Sequence, residues 1–235
     1  MRKNLILACV ALVALAACSN DDDKNGNFGL EFKAVKETST LKAAVLSDFD
    51  ITDFNVMLGE VEFEFDQNPD NPAYLPEEVE YRGPFEFAIL KGKQLGSITL
   101  PEISLPVGPL EEIEFDIEQN KSLPTSHSMY GKTVLIKGTY KGTPIEIWDN
   151  REAELEIDYE TEADRVILTS QLSCLDVKVN VNGILASLVA AIDPTKLVDT
   201  NKDGKIQVGP GSPDKVELSV SLAELIDKSS SLDKN

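Results

Sequence analysis

Apolar residues recur at every second position along most of this chain. Phe28, Leu30, Phe32 and Ala34 alternate with Gly29, Glu31 and Lys33, which predicts a short strand with one face buried. From Phe54 the apolar set is Phe54, Val56 and Leu58, and after Gly59 it changes parity to Val61, Phe63 and Phe65, against Glu60, Glu62 and Glu64. A parity change at a glycine predicts a β-bulge or a strand crossing between sheets. Phe85, Phe87 and Ile89, then Ile98 and Leu100, then Ile103 and Leu105 after Pro101, continue the period. Ile113, Phe115 and Ile117 stand between Glu112, Glu114, Asp116 and Glu118, the cleanest one-sided strand of the chain. Val134 to Tyr140, Ile145 to Trp148, Ala153 to Tyr159, and Val166 through Val181 with an interruption near Cys174 follow.

Alternating faces need a second sheet over the apolar side, so strands at this spacing predict a mainly β fold, an antiparallel β-sandwich. Only two segments break the period. Asn182-Gly183 leads into Ile184, Leu185, Leu188, Val189 and Ile192, a helical spacing that stops at Asp193-Pro194. Ser212-Pro213-Asp214 reads as a helix start, with Val216, Val220, Ala223 and Ile226 on one face, but Val216, Leu218, Val220 and Leu222 also alternate as a final strand would. One or two short helices are thus expected in the C-terminal part.

The N-terminus carries an address. Arg2 and Lys3 precede an apolar run from Leu5 to Leu15 that is too short to span a bilayer, and Leu15-Ala16-Ala17-Cys18 closes it. This is the pattern of a lipoprotein signal peptide, residues 1–17, removed before an acylated Cys18. Acyl chains stabilise membrane attachment by about 0.8 kcal/mol per buried methylene, which is enough to anchor a folded domain without a transmembrane helix. Residues 18–27, with Asp21, Asp22 and Asp23, read as a solvated tether, and residues 28–235 as one β-sandwich domain with a C-terminal extension from about 182. The full chain has net charge −19; without Arg2 and Lys3, 20 basic residues face 41 acidic ones, a net charge of −21. Nucleic acid is excluded as a partner, and an acidic body is repelled by anionic headgroups, so membrane association must come from the lipid. With Cys9 removed and Cys18 acylated, Cys174 is the remaining thiol and no internal disulfide forms; it reads as a small buried hydrophobe.

The succession Phe54-Asn55-Val56-Met57-Leu58-Gly59-Glu60-Val61-Glu62-Phe63, then Ile98 to Leu100, then Leu105-Pro106-Val107-Gly108-Pro109-Leu110-Glu111-Glu112-Ile113 resembles exported lipoproteins of Bacteroidota that carry a prealbumin-like (transthyretin-like) β-sandwich domain of unknown function. Leu105-Pro106-Val107-Gly108 and Ile113 match that family's "lPxGxyxxI" element, and Pro109 and Leu110 depart from its polar and aromatic positions. The resemblance covers roughly residues 50 to 170. It implies the sandwich and display on the outer membrane surface, with the acidic run Asp21-Asp22-Asp23 as the export signal, and it carries over no catalytic residue.

Asp199-Thr200-Asn201-Lys202-Asp203-Gly204-Lys205-Ile206 matches the first half of an EF-hand-type calcium loop: oxygens at the first, third and fifth positions, glycine at the sixth, and the carbonyl of Lys205 at the seventh. The twelfth position is Pro210, so Asp214 or Glu217 would have to complete a structural Ca2+ site; the alternative is a metal-free Asx-rich turn. Among the aromatics able to stack on a sugar ring, Trp148 falls out of phase beside a loop, and Tyr74 lies in the proline-rich stretch Asp70-Asn71-Pro72-Ala73-Tyr74-Leu75-Pro76. The many paired carboxylates read as a solvated sheet face, and His127, the single histidine, cannot build a multi-imidazole zinc site. The expectation is a lipid-anchored, surface-exposed module that binds a glycan or a protein partner and is not an enzyme. Two alternatives stay open: a fimbria-like assembly subunit that exchanges the strand from Phe28 to Val35, and a glycan-degrading acid–base enzyme.

Overall fold

The computed structural model describes residues 25–37, 48–65, 78–158, 166–169 and 174–233. In chain order the strands are β1 (Asn25–Val35), β2 (Phe49–Phe65), β3 (Glu78–Lys91), β4 (Gln94–Leu95), β5 (Ser97–Thr99), β6 (Ile103–Pro106), β7 (Gly108–Ile117), β8 (Val134–Tyr140), β9 (Thr143–Asp149), β10 (Ala153–Asp158), β11 (Val166–Leu168), β12 (Cys174–Asn180), β13 (Ile206–Val208) and β14 (Ser230–Asp233), with helices α1 (Val181–Ala191) and α2 (Leu222–Asp227). The fold is mainly β, as the alternation predicts. A smaller sheet runs β14-β12-β1-β5 with β6 also on β1, and a larger one runs β10-β7-β2-β8-β9-β13 with β3 along the other edge of β2. Among the described residues no helix is long and apolar enough to cross a membrane.

The two sheets pack face to face over one core, as a sandwich requires. Phe32 of β1 reaches from the small sheet to Phe115 of β7, edge-on at 4.9 Å between centroids, and to Phe87 of β3 at 5.9 Å. The parity change at Gly59 is a bulge: the β2–β3 register shifts between Leu58 and Glu60, so Leu58 and Val61 are both buried. Met57, between the core-facing Val56 and Leu58, lies on the outer face, where it meets Met129, Leu135 and the partly buried Trp148 in a satellite cluster.

Three details differ from the sequence reading. The sandwich is mixed rather than purely antiparallel, because β1 pairs with β12 and β13 with β9 in parallel; alternation reports which face is buried and carries no information on strand direction. The first strand takes in Asn25, Gly26 and Asn27, ahead of Phe28, since their backbone pairs with Ser104 to Pro106 of β6 whatever the side chains are. Ser212-Pro213-Asp214 does not open a helix. The Ser212 hydroxyl donates to the Gln207 carbonyl at 2.5 Å and Asp214 is engaged elsewhere, so α2 starts only at Leu222, capped by Ser221, and the closing strand is Ser230–Asp233. The first helix lies where the spacing places it and ends before Asp193-Pro194; it begins at Val181, so that Asn182 and Gly183 are inside it, and Asn180 caps it by accepting from Gly183 N at 3.3 Å.

β7 and β8 lie end to end along the same edge of β2, since β7 pairs with Leu58 to Phe65 and β8 with Phe49 to Val56. The chain between them, residues 118–133, is therefore an excursion off a nearly continuous strand line, and it folds back over the outer face of the sheet.

Candidate functional site

The outer face of the large sheet has two chemically different halves. Toward the second half of β2, cross-strand pairing lines up carboxylates over four strands. Glu62 stands opposite Glu80 of β3 and Glu114 of β7, and Glu114 opposite Glu156 of β10; Glu64 stands opposite Glu78 and Glu112. Arg82 breaks the run, bonding Glu60 at 2.9 Å and pairing with Glu80. Like charges directly opposite one another destabilise a sheet. Partial burial, then repulsion from Glu78, Glu114, Glu60 and Glu80, pushes the Glu62 carboxyl up to about 7, and Glu114 and Asp116 rise for the same kinds of reason. With a folded value above the unfolded one, the native state holds more protons between pH 4.5 and about 7, so stability falls as pH rises through that window. Glu62→Gln is expected to stabilise the protein at pH 8 by about 1 kcal/mol, an amount discounted for solvent screening, and by much less at pH 5. Urea unfolding at the two pH values measures it, and an equal effect at both would show that charge is not the cause.

The other half, around the start of β2 and β8–β9, holds an open groove of about 550 Å3. Its floor is one cross-strand row, Ala88, Asn55 and the nearly buried Leu135, that continues to Trp148. Its walls carry Asp53 and Glu86 with Lys91 and Lys137, and Ser128 of the 118–133 excursion closes one side. The β2–β8 register shift between Ile51 and Asp53 lets Ile51 and Phe54 both pack on the core while Asp53 faces the groove. Asn55 Nδ2 donates to Glu86 Oε1 at 2.6 Å, and Thr52 Oγ1 donates to Asp53 Oδ2 at 2.6 Å. His127 Nδ1 accepts from Met129 N at 3.3 Å, which leaves Nε2 as the protonated nitrogen, 3.6 Å from Glu86 Oε2.

Trp148 is half-buried: Gly209 packs so closely on it that an added Cβ would lie 2.7 Å from the indole, Lys132 Nζ stands 5.9 Å from the ring centroid, and the cluster of Met57, Met129 and Leu135 packs beside it. Cys174 is half-buried in a polar setting, 3.6 Å from Asp176 Oδ1, with Lys33 bridging Asp176 at 2.7 Å and Glu31 at 3.1 Å; burial and these carboxylates push the thiol up. Cys18, Asp21, Asp22, Asp23 and Tyr74 lie outside the described residues.

The Asp199 loop is closed by its own hydrogen bonds. Asp199 accepts from Asp203 N at 3.2 Å and Gly204 N at 2.9 Å, Asn201 Oδ1 from Asp203 N at 3.1 Å, and Asp203 Oδ1 from Lys205 N at 3.1 Å. Asp214 comes into the loop, and both of its oxygens are taken: Oδ1 accepts from Thr200 N, Thr200 Oγ1 and Asn201 N, Oδ2 from Gln207 N. Burial opposes its charge, but these donors hold the carboxyl below its ordinary value. The Lys205 side chain bonds Glu146 at 2.7 Å and ties the loop to β9.

Asp53, Glu86 and Lys137 carry no signal in the sequence, where they read as polar positions of solvated strands. Their convergence depends on two register shifts and on the excursion between β7 and β8. Fold and site together define a mainly β two-sheet sandwich with an open polar groove on its outer face. No protein-family model, curated protein or solved structure matches this chain.

Proposed function

We propose that this chain is a lipid-anchored module displayed on the outer membrane surface, one that binds a glycan or protein partner and performs no chemistry, as its resemblance to exported prealbumin-like lipoproteins implies. The carrying observation is the groove on the outer face, which converges polar side chains of both charges around Ala88 and Leu135. The lipobox supplies the anchor, and the tether joins the fold at Asn25. The place of β1 favours a self-contained module over strand exchange: it is held by β12, β5 and β6 at once, and Phe28, Leu30 and Phe32 are buried in the core. A calcium ion at Asp199, Asn201, Asp203 and the Lys205 carbonyl belongs to the same proposal as a structural element.

Cys18→Ala removes the single point of acylation, so the variant is expected to lose fatty-acid labelling and to leave the membrane fraction. Replacing Asp21, Asp22 and Asp23 with alanine is expected to retain the label while reducing protease accessibility on intact cells. Labelling of the Cys18→Ala protein would sink the anchor, and unchanged accessibility of the triple variant would sink the export signal.

A further inference from the structure

We infer that the outer-face groove is a subsite for an uncharged, hydroxyl-rich saccharide; this rests on the reading of the chain as a surface-displayed binding module. Charge argues for the class of ligand. The chain as a whole is strongly acidic, yet the groove sets Asp53 and Glu86 against Lys91 and Lys137 and is balanced. A polyanion would meet two carboxylates and the field of the whole protein, and a polycation would find its complement in the glutamate ladder instead. A neutral ligand is left, and the lining is suited to one rich in hydroxyls.

A pyranose ring presents an apolar face of C–H groups and an edge of hydroxyls. The face can rest on the Ala88 methyl beside Asn55, with the nearly buried Leu135 beyond it, and the edge needs planar groups able to donate and accept side by side. Asn55 and Glu86 are joined at 2.6 Å and present such a pair. Asp53 is held by Thr52 Oγ1 at 2.6 Å and by Gly92 N at 3.3 Å. These bonds fix the walls before any ligand arrives, which lowers the entropy lost on binding. Placement completes the case. Asn25 pairs near β6, which runs into β7, whose Leu110 stands opposite Phe65 at the far end of β2. At the other end of β1, Ala34 N bonds Gly96 O and Gly96 N bonds Ile89 O, next to the groove's Ala88. The groove thus lies in the half of the sandwich remote from the tether, the half presented to the surroundings.

The test uses the detergent-solubilised full chain on an array of neutral and anionic oligosaccharides, with a peptide array run beside it. Neutral oligosaccharides are expected to bind, with affinity reduced about tenfold or more in Asn55→Ala, which removes a hydrogen-bonding group at the edge, and in Glu86→Gln, which replaces a carboxylate acceptor with an amide donor and removes the charge. Melting temperatures check that both variants fold, and Glu62→Gln, on the acidic half, is expected to bind as the wild type does. Saccharide binding that survives the Asn55→Ala, Glu86→Gln double variant overturns the groove as the site. Preference for anionic saccharides overturns the ligand class. A blank saccharide array with peptide binding lost in the double variant overturns the saccharide and keeps the binding module; blank arrays of both kinds overturn both.

Discussion

Asp149→Ala is expected to cost about 3 kcal/mol of stability, the scale found when one partner of a buried ion pair is removed. Asp149 ends β9 with no solvent exposure and makes bonds in three directions. Its carboxylate accepts from Arg151 Nε at 2.9 and 3.0 Å and from Arg151 Nη2 at 2.8 Å, from Asn150 N and Arg151 N in the turn, and from Leu222 N at 2.9 Å at the first turn of α2. Arg151 in turn donates to the Val220 carbonyl, and Thr133 bonds the backbone of Asp149 and Arg151. One side chain therefore joins the β9–β10 turn to the start of α2, and the turn's backbone holds the end of the excursion. Alanine leaves the Leu222 N–H unsatisfied and the guanidinium without its partner. Asp149→Asn keeps an acceptor and should lose less.

The same carboxylate sets an acid limit. Burial opposes its charge, but the Arg151 side chain and the Leu222 and Arg151 N–H groups more than offset that and hold Asp149 below its ordinary value of 3.8. Its contribution is complete above the unfolded value and is lost as pH falls through the folded one. The glutamate ladder has the opposite sign, so the wild type should be most stable in mildly acid solution and Asp149→Ala should flatten the acid limb. Chemical denaturation from pH 3 to pH 8 measures both, and an acid limb unchanged in the variant would contradict this role.

Calcium is expected to raise the melting temperature of chelator-treated protein, and Asp203→Ala to abolish the rise. A ligand that binds only the native state stabilises by about 2.7 kcal/mol at a hundred times its dissociation constant, whereas a metal-free turn gains almost nothing. Asp199 and Asp203 each accept one loop N–H on each carboxylate oxygen and Asn201 one on Oδ1, and each of these oxygens keeps a second lone pair to offer. Asp214 is spent on four donors, so Asp214→Asn should lower stability with calcium or without it. A wild type indifferent to calcium after chelation would leave the loop as a turn held by its own hydrogen bonds.

The sequence by itself determined the sandwich. A period of two fixes which side of each strand is buried, and the change of parity at Gly59 is visible because a bulge must shift that period. Helix α1 was legible for a similar local reason, since the spacing of Ile184, Leu185, Leu188, Val189 and Ile192 and the stop at Asp193-Pro194 are local signals; its start at Val181, capped by Asn180, was not. Tertiary structure alone decided the direction of β1 against β12 and the alignment of β7 with β8 on one edge of β2, because partner choice between strands distant in sequence leaves no trace in either strand's own pattern. It also decided the fate of single side chains. Asp214 turned inward to the Asp199 loop instead of opening a helix, Trp148 packed on Gly209 and the satellite cluster, and Asp53, Asn55, Glu86 and Lys137, scattered over three strands, came to line one groove. Burial can be read from local periodicity; the meeting of polar side chains depends on register, which long-range packing sets.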